Sequence, residues 1–486
     1  MLDLQDLKLN TIESKAFKYF QNICNIPHGS GNRVPIADFC ETFAKKRGLK
    51  YIRDNENNVI IFKNGQLGGE NAKPIILQGH LDMVCQASDN KQIDFLTQPI
   101  TIMRDEDFIK ADDTTLGADN GIAVAYIMAI LDSTDICHPP IEAIFTADEE
   151  IGLLGANALD TSVLKSKRMI NLDSETENVL TVSCAGGQDV ILKSEYTTTT
   201  CKGTKITLKI SGLLGGHSGV EIDKGRTNAN VLMGKILNSF NNKFEYELIS
   251  INGGKKPNAI PDSCVAEICT SDKNDVFQSL TDDEKLYFID IQKSEPDFKI
   301  EVYLSEQDEC TCFNASTKEN ILGLLQNVPD GVIKISEEID GLVETSLNLG
   351  ILSTEQDVVK FHYALRSNKE TKLKDLAKQV LNIGDKYNIH GDVSGFYPPW
   401  EFKADSPLRE LYKECYKEYF GKEIKVEAIH AGLECAVFSS TIKELDCISV
   451  GPNMYDVHTP SEKLSISSAV STFNLLLNVL KKYCEI

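Results

Sequence analysis

Short apolar runs alternate with helical patterns over about the first 185 residues of the chain, which is typical of α/β architecture. Buried strands are predicted at residues 74–78, 141–146 and 169–172. Residues 118–131 (ADNGIAVAYIMAIL) are apolar nearly all round and therefore predict a buried helix that begins near Asp119. The fold class that follows is α/β, with a twisted mixed sheet flanked by helices.

The pattern changes between residues 188 and 395, where strand-like segments mix with helical ones and indicate a separate α+β unit. The strand-like segments are 204–210, 299–304 and 358–365, and the helical ones are 228–240 and 370–383. The last part returns to the α/β style, with a helix at 406–419, a strand at 447–450 and an amphipathic helix at 465–483. We therefore predict a discontinuous first domain, residues 1–187 and 396–486, into which residues 188–395 are inserted.

The net charge limits the partners that the protein can have. The chain has 486 residues, of which 50 are Lys or Arg and 72 are Asp or Glu, so its formal net charge is −22. Because affinity for nucleic acid comes largely from cationic groups that displace counterions, we expect no nucleic-acid partner. An anionic membrane surface is disfavoured on the same ground, and no run approaches the roughly 20 apolar residues of a membrane span.

The 14 cysteines are scattered from Cys24 to Cys484 without a CxxC motif, and the closest pair is Cys310 and Cys312. The sequence starts MLDLQDLKLN, which has neither a basic nor an apolar signal region. We therefore expect buried, reduced thiols in a cytoplasmic protein.

Histidine and carboxylate side chains follow the predicted strands. They are His80 and Asp82 after the first strand, Glu149 and Glu150 after the second, Asp173 after the third, His458 soon after a fourth, and Asp119 at the start of the buried helix. Because ligands bind at the carboxyl ends of strands in open α/β sheets, we expect these side chains to face one crevice. A mixed His, Asp and Glu set suits a divalent metal of borderline hardness, zinc first.

Each of these residues taken alone has a simpler interpretation. A histidine after a strand is usually a hydrogen-bonded loop residue, Asp119 would be a helix N-cap, and the Glu149–Glu150 pair would be solvated surface charge. Their coincidence at strand ends inside an apolar framework favours the metal site, because unpaired carboxylates would be costly there.

The order of the motifs resembles that of a known family. HxDxV, GADNG, DEE, NLDSE, GGHSG and DVHTPxE occur in this order over residues 80–462. The set is similar to that of the zinc exopeptidase family of dipeptidases, carboxypeptidase G and aminoacylase. Within this family it most resembles the subgroup of aminoacyl-histidine, or cytosol non-specific, dipeptidases. Residues 212–219 (GLLGGHSG), 397–400 (YPPW) and 430–434 (HAGLE) also resemble this subgroup.

This resemblance implies two Zn²⁺ ions per subunit, with Mn²⁺ or Co²⁺ as alternatives. The implied ligands are Asp119, which bridges the metals, His80 and Asp173 on one metal, and Glu150 and His458 on the other. Glu149 is implied as the general base. Asp82 is implied to orient His80 by holding the other imidazole nitrogen with its carboxylate.

The resemblance further implies that the inserted domain is a lid whose His217 stabilises the oxyanion of the tetrahedral intermediate. The pattern alone would make His217 a loop histidine among glycines, and without G-K-[ST] it is no phosphate loop. A dipeptide's free carboxylate needs a cation, which an arginine fork matches in geometry. The expected substrate-binding residues are Arg366 first, Arg226 second, then Asn258 and Gly432. For either arginine, a surface salt bridge is the simpler interpretation.

The sequence therefore predicts a cytoplasmic di-zinc dipeptidase for unblocked dipeptides, including Xaa-His, and the resemblance suggests a homodimer. Within the same family, a tripeptidase or an N-acyl-amino-acid deacylase is the alternative. From other classes, the alternatives are an inactive metal-retaining binding protein and a metallophosphoesterase. The presence of the base Glu149 beside the complete ligand set disfavours the binding protein. The acidic character of the motifs disfavours the phosphoesterase.

Overall fold

The computed structural model describes residues 9–241, 243–271, 273–280, 285–305, 309–339 and 341–485. The first eight residues, which belong to the predicted first domain, lie outside these ranges.

The helices of the described residues are α1 (Thr11–Cys24), α2 (Arg33–Lys46), α3 (Ala118–Leu131), α4 (Leu154–Ala158), α5 (Ala229–Asn241), α6 (Lys273–Gln278), α7 (Lys285–Ser294), α8 (Ala315–Asn327), α9 (Glu370–Lys386), α10 (Pro407–Phe420), α11 (Glu434–Thr441) and α12 (Ile466–Tyr483). The strands are β1 (Lys50–Arg53), β2 (Val59–Lys63), β3 (Ile75–His80), β4 (Ile102–Asp105), β5 (Phe108–Ala111), β6 (Ile141–Thr146), β7 (Arg168–Asn171), β8 (Val179–Cys184), β9 (Gly186–Glu195), β10 (Thr198–Lys202), β11 (Thr204–Ser211), β12 (Gly216–His217), β13 (Glu247–Gly253), β14 (Ala259–Ile260), β15 (Cys264–Thr270), β16 (Lys299–Ser305), β17 (Glu309–Phe313), β18 (Gly331–Ile335), β19 (Val343–Glu355), β20 (Val358–Ser367), β21 (His390–Tyr397), β22 (Lys425–Ile429), β23 (Asp446–Ser449), β24 (Met454–Tyr455) and β25 (Lys463–Ser465).

Backbone contacts divide the chain into two compact units. Within the described residues, the first unit comprises 9–183, 402–428 and 433–485, and the second comprises the described parts of Cys184–Glu401 together with Ile429–Gly432. The first unit is therefore built from both ends of the chain. The assignment of a catalytic domain to residues 1–187 and 396–486, and of a lid to residues 188–395, stays a prediction.

The first unit is built on a mixed eight-stranded sheet with the order β1-β2-β6-β3-β7-β23-β8-β22. The four central strands, β6, β3, β7 and β23, are parallel, whereas β1, β2 and β8 pair antiparallel. Every residue of β3 and β6 is buried, as is typical of parallel strands that are covered on both faces. The predicted α/β class with a mixed sheet is confirmed. A small sheet, β24-β25-β5-β4, completes this unit.

Helix α3 is fastened to the carboxyl ends of two central strands. The Asn120 side chain accepts a hydrogen bond from the His80 amide (3.2 Å) and donates one to the Leu172 carbonyl (2.9 Å). The helix approaches β3 closely at Gly79, where an added Cβ would lie 2.5 Å from Asn120 Oδ1 and 2.9 Å from Ala123 Cβ. The start of α3 is therefore fixed against the ends of β3 and β7.

The second unit is built on an antiparallel sheet with the strand order β16-β11-β15-β13-β19-β20-β9-β21, with β18 paired to β19. One face of this sheet packs against α5, α8 and α9, which contribute Leu232, Leu324 and Leu376 to the core. Two short antiparallel pairs, β10–β17 and β12–β14, accompany the sheet. This is the α+β unit that the sequence predicts.

Cysteine pairing differs from the expectation at one place. Cys201 on β10 and Cys312 on β17 are joined by a disulfide bond, with 6.5 Å between their Cα atoms, because these strands are neighbours in the antiparallel pair. The expectation that every cysteine is a thiol is therefore wrong for these two residues; the other twelve are thiols. Separately, none of the described helices is long and apolar enough to cross a membrane.

The close approach at Gly79 gives a test of the fold. We expect Gly79→Ala to lower the free energy of unfolding by about 1–3 kcal/mol, because the added methyl group meets packed neighbours. The measurement is the midpoint of urea unfolding followed by circular dichroism. Gly121→Ala on α3 is the control, since its Cβ would meet Phe20 and Ile23 at ordinary contact distances of 3.4–3.5 Å. Equal midpoints for wild type and both variants would contradict the close approach.

Candidate metal centre and a second polar cluster

Two sets of ligand atoms in the first unit share one carboxylate. His80 Nε2 lies 3.2 Å from Asp119 Oδ1 and 3.3 Å from Asp173 Oδ1. His458 Nε2 lies 3.2 Å from Asp119 Oδ2 and 2.8 Å from Glu150 Oε1. In each set, one ligand atom from every residue lies within 4.8 Å of the others. Asp119 therefore presents its two oxygens to two different sets, as a carboxylate that bridges two metal ions must.

Sheet topology explains how residues far apart in sequence meet here. His80 ends β3 and Asp173 comes just after β7, and these neighbouring parallel strands end at the same edge. Glu150 lies in the turn after β6, which neighbours β3 on its other side. Asp119 is in the first turn of α3. His458 lies in the loop between β24 and β25, in the left-handed backbone conformation (φ 64°).

The electrostatics of the cluster favour positive charge. Burial lowers the pKa of His80, but the carboxylates of Asp173 and Asp119 outweigh it and hold that pKa well above its usual value. Hydrogen bonds with Asp119 and Glu150 raise the pKa of His458 to about 11. Burial also works to raise the pKa of Asp119, yet the two histidines hold it below its usual value. The carboxylates therefore require cationic charge nearby, which imidazolium groups or divalent cations can supply, and the nitrogen and oxygen donors fit zinc, manganese or cobalt.

Glu149 is a titratable carboxyl group beside this cluster. It lies with His80 and Glu150 in a third group of ligand atoms. Burial holds the pKa of Glu149 well above its usual value, and although His80 opposes this shift, the charge of Asp173 adds to it. A carboxylate with a raised pKa accepts a proton more readily near neutral pH.

Asp82 contacts His80 through its backbone oxygen as well as through the carboxylate that the sequence analysis singled out. His80 Nδ1 lies 2.9 Å from the backbone oxygen of Asp82 and 3.6 Å from its carboxylate. The carboxylate also accepts hydrogen bonds from the Glu149 amide (2.9 Å), the Glu150 amide (3.3 Å) and the Ser30 hydroxyl (2.8 Å). The backbone of Asp82 thus orients the imidazole, while its side chain shapes the turn that carries Glu149 and Glu150.

Glu462 is a residue that the sequence analysis did not assign, although it ends the DVHTPxE motif. Its buried carboxylate accepts backbone N–H bonds from Leu116 (2.7 Å), Gly117 (3.1 Å), Ala118 (2.9 Å) and Asp119 (3.4 Å). A carboxylate at this position compensates the unpaired amides and the positive end of α3. Glu462 therefore holds the segment that positions Asp119.

Glu434, in the HAGLE segment, is expected from the sequence to line the substrate pocket with Gly432, and this stays a prediction. It is fully buried, and its Oε2 accepts hydrogen bonds from Gln78 on β3 and from the Thr146 hydroxyl on β6 (2.7 Å). Gln78 in turn accepts a hydrogen bond from Asn171 on β7. Burial raises the pKa of Glu434 to about 7. A connected polar network therefore joins the three strands just before the metal-ligand positions.

His217 belongs to a second polar cluster, which lies within the second unit. It ends β12, and its Nδ1 accepts N–H bonds from Gly219 and Val220, both at 3.2 Å. In the neutral ring the hydrogen must then sit on Nε2. Burial and the charge of Arg366 lower the pKa of His217, so the neutral form prevails at pH 7. His217 therefore offers one N–H donor.

Arg366 lies near His217 and has unused donors. Its Nη1 donates to the Tyr397 hydroxyl (2.8 Å), while its buried Nε has no hydrogen-bond partner among the described residues. No acidic side chain of the described chain forms an ion pair with it, so the surface salt bridge is wrong for Arg366. Gly432 packs against Tyr397, because an added Cβ would lie 3.1 Å from the ring. His430, bonded to Ser346 (2.7 Å), completes the cluster.

Arg226 and Asn258 lie beside the His217 loop with other contacts. Arg226 donates to the Gly215 carbonyl and, at 2.9 Å, to Glu221, which in turn accepts the His217 amide bond (2.8 Å). The simpler interpretation of Arg226, an ion pair, thus describes its geometry. Asn258 is exposed, and its backbone carbonyl accepts a bond from the Ser218 amide (2.9 Å).

Comparison with known proteins identifies the family. The family model described as Peptidase family M20/M25/M40 matches residues 76–482, which is most of the chain. The chain belongs to peptidase family M20/M25/M40. Membership makes it a metal-dependent peptide hydrolase, and the resemblance read from the ordered motifs is confirmed.

This M20/M25/M40 peptidase has relatives that match nearly its whole length. It is 35% identical over 469 residues to the cytosol non-specific dipeptidase of Escherichia coli (strain K12), covering 95% of this chain and 96% of that one. The aminoacylhistidine dipeptidase of Vibrio alginolyticus superposes with a TM-score of 0.91 at 32% identity, over 99% and 98% of the two chains. Aminopeptidase PepT from Bacillus cereus, with a TM-score of 0.55 and 14% identity over 97% and 98% of the chains, shares the fold alone.

The contacts of Glu462 generate a prediction for the M20/M25/M40 peptidase. We expect Glu462→Gln to lower the free energy of unfolding by about 1.5–3 kcal/mol. The glutamine side chain would place its NH₂ group, a hydrogen-bond donor, opposite backbone N–H groups that are themselves donors. Zinc affinity should fall as well, since the Asp119 segment loses its support. Urea unfolding and zinc titration measure the two effects.

Glu418→Gln is the control, because this half-exposed carboxylate pairs with Lys482 at the surface and has no other ion pair within the described residues. It should leave both quantities nearly unchanged. An unchanged zinc affinity in Glu462→Gln would show that this residue does not position the ligand segment.

Proposed function

We propose that this peptidase is a dipeptidase that hydrolyses unblocked dipeptides, including Xaa-His, and holds two Zn²⁺ ions per subunit, with Mn²⁺ or Co²⁺ as alternatives. The observation that carries the proposal is the Asp119 carboxylate, whose two oxygens face two separate ligand sets. The similarity to two proteins named as dipeptidases, over nearly the full length of this chain, supports the substrate class.

The ligands would divide into two sets around the shared carboxylate. His80 and Asp173 would complete one ion with Asp119, and Glu150 and His458 the other. Ions held by these residues would supply a water of lowered pKa and would polarise the carbonyl of the scissile peptide bond. The pairing of one imidazole with carboxylate oxygens in each set fits zinc.

Glu149 would act as the general base. It would take a proton from the attacking water and deliver it to the leaving amine, for which its raised pKa is suited. The hydrogen bond from its own amide to Asp82 fixes the turn on which it lies. Asp82 would therefore be a positioning residue for Glu149 and Glu150 as well as for His80.

His217 and Arg366 would bind the substrate's charged oxygens. The Nε2–H group of neutral His217 is a donor for the oxyanion that forms during attack. The half-buried guanidinium of Arg366, which lacks an acidic partner in the described chain, would bind the free carboxylate of the dipeptide. Arg226 would act indirectly, because it supports the His217 loop through Glu221. Gly432 and Asn258 stay predicted substrate-binding residues.

Several other features that the sequence predicts are not needed for this proposal. The homodimer, the cytoplasmic location and the absence of nucleic-acid and membrane partners stay predictions.

The adjacent residues Glu149 and Glu150 allow the base to be separated from a ligand. We expect Glu149→Gln to keep the zinc content of the wild type and to lose about 10²–10⁴-fold in kcat, because only the proton acceptor is removed. Glu150→Gln is the matched variant and should lose zinc. Metal analysis and dipeptide hydrolysis measure the two effects. Wild-type activity that survives complete removal of metal by a chelator would contradict the proposed mechanism.

Arg366 allows the substrate class to be tested. We expect Arg366→Ala to lower kcat/KM for a free dipeptide about tenfold to a hundredfold, because a charged hydrogen-bond partner of the carboxylate is lost. The corresponding dipeptide amide, which lacks that carboxylate, should be hydrolysed equally by both proteins. Equal losses of kcat/KM for the free dipeptide and for its amide would show that Arg366 does not bind the substrate's carboxylate. In wild type, faster turnover of tripeptides or N-acetyl amino acids than of dipeptides would identify a tripeptidase or a deacylase instead.

A further inference from the structure

Four cysteines of the second unit meet where the strand pair β10–β17 covers its large sheet. Along β15, Cys264, Ala266 and Ile268 point into the main core of the unit. Because side chains alternate along a strand, Cys269 points to the opposite face. On that face Cys269 packs with Cys310 and Cys312 of β17. The sulfur atoms therefore lie between the strand pair and the sheet.

The four sulfurs form one cluster. The Sγ atoms of Cys201, Cys269 and Cys312 lie within 4.8 Å of one another. Cys310 is the register partner of Cys201, and it shares a strand face with Cys312 two residues on. Cys269, Cys310 and Cys312 are at most 5% exposed, and Cys201 packs against them. Three sulfurs are thus mutually close, and the thiol of Cys310 lies beside that of Cys269.

The disulfide bond involves only two of the four clustered cysteines. The bond between Cys201 and Cys312 joins β10 to β17, which already pair through their backbones, and it leaves Cys269 and Cys310 as buried thiols. It forms no link from this strand pair to the sheet beneath. Besides the cysteines, only Ile249 of β13 packs into this small cluster within the described residues. An isolated two-stranded pair has little stability of its own, so a link to the sheet would matter.

We propose that, in the reduced chain, Cys201, Cys269, Cys310 and Cys312 bind one structural zinc ion that fastens the β10–β17 pair to the sheet. Four thiolates are a common donor set of closed, tetrahedral zinc sites. One ion would use all four sulfurs and connect three strands, whereas the disulfide connects two. Zinc and the disulfide exclude each other, because Cys201 and Cys312 can donate to the metal only as thiolates.

This site is independent of the candidate metal centre. All four cysteines belong to the second unit, while the histidine and carboxylate ligands belong to the first unit and include no cysteine. The two sites therefore differ in a property that spectroscopy detects. Cobalt bound by thiolates gives intense sulfur-to-metal charge-transfer absorption, which cobalt bound by imidazole and carboxylate groups lacks.

The test uses the full chain, purified and kept with a phosphine reductant. We expect wild type to hold one zinc per chain more than Cys269→Ala, as measured by mass spectrometry of the metal content. Cys264→Ala is the matched control, because Cys264 lies on the same strand and faces the main core. It should keep the zinc content of the wild type.

Cobalt-loaded wild type supplies a second measurement, and its absorption does not depend on how well any cysteine variant folds. Wild type and His80→Ala should both show the thiolate-to-cobalt absorption, whereas Cys310→Ala should lose it. Wild type without this absorption, or equal zinc content in wild type and Cys269→Ala, would overturn the proposal. So would alkylation in denaturant that labels only 12 of the 14 cysteines after the reducing preparation.

Discussion

The concentration of buried carboxylates at one edge of a parallel sheet is the constraint on which the first unit depends. Asp119, Asp173, Glu149 and Glu150 lie close together, and burial works to raise the pKa of the first three of these side chains. Such a group persists only if cations or hydrogen-bond donors compensate it. Two histidines and the backbone amides of the surrounding turns supply part of this compensation. Divalent cations can supply the rest. The same buried carboxylates therefore create both the need for positive charge and the capacity to bind metal ions.

Much of this arrangement could be predicted, because parallel strands leave a clear signature. The run at 141–146 is a strand with those bounds, and the apolar helix at 118–131 is also found as predicted. Helices predicted to begin at Asn228, Ser406 and Ser465 each begin one residue later, since these side chains accept amide hydrogen bonds as N-caps. The ends of the predicted strands therefore indicate the candidate metal-ligand positions from the sequence alone.

The supporting contacts could not be predicted, for a physical reason. Glu462 bonds to amides about 345 residues earlier in the chain, and no periodicity links such distant positions. The partner of the His80 imidazole is a backbone carbonyl of Asp82, and the residue type does not reveal that choice. The different partners of Arg366 and Arg226 could not be predicted either, because the sequence does not show which guanidinium faces a carboxylate. Glu221 neutralises Arg226, and Arg366 has no such partner in the described chain.

The dependence of the Asp119 segment on Glu462 also bears on how the protein is made. Strand β23 lies between β7 and β8 in the interior of the sheet, although the second unit separates it from both strands in sequence. His458 and Glu462 follow it. During synthesis the chain therefore lacks a central strand, one proposed ligand and the carboxylate that caps α3 until the whole second unit has been made. The long-range pairing makes folding slow relative to local helix formation, and the sheet of the first unit can be completed only after the second unit has been synthesised.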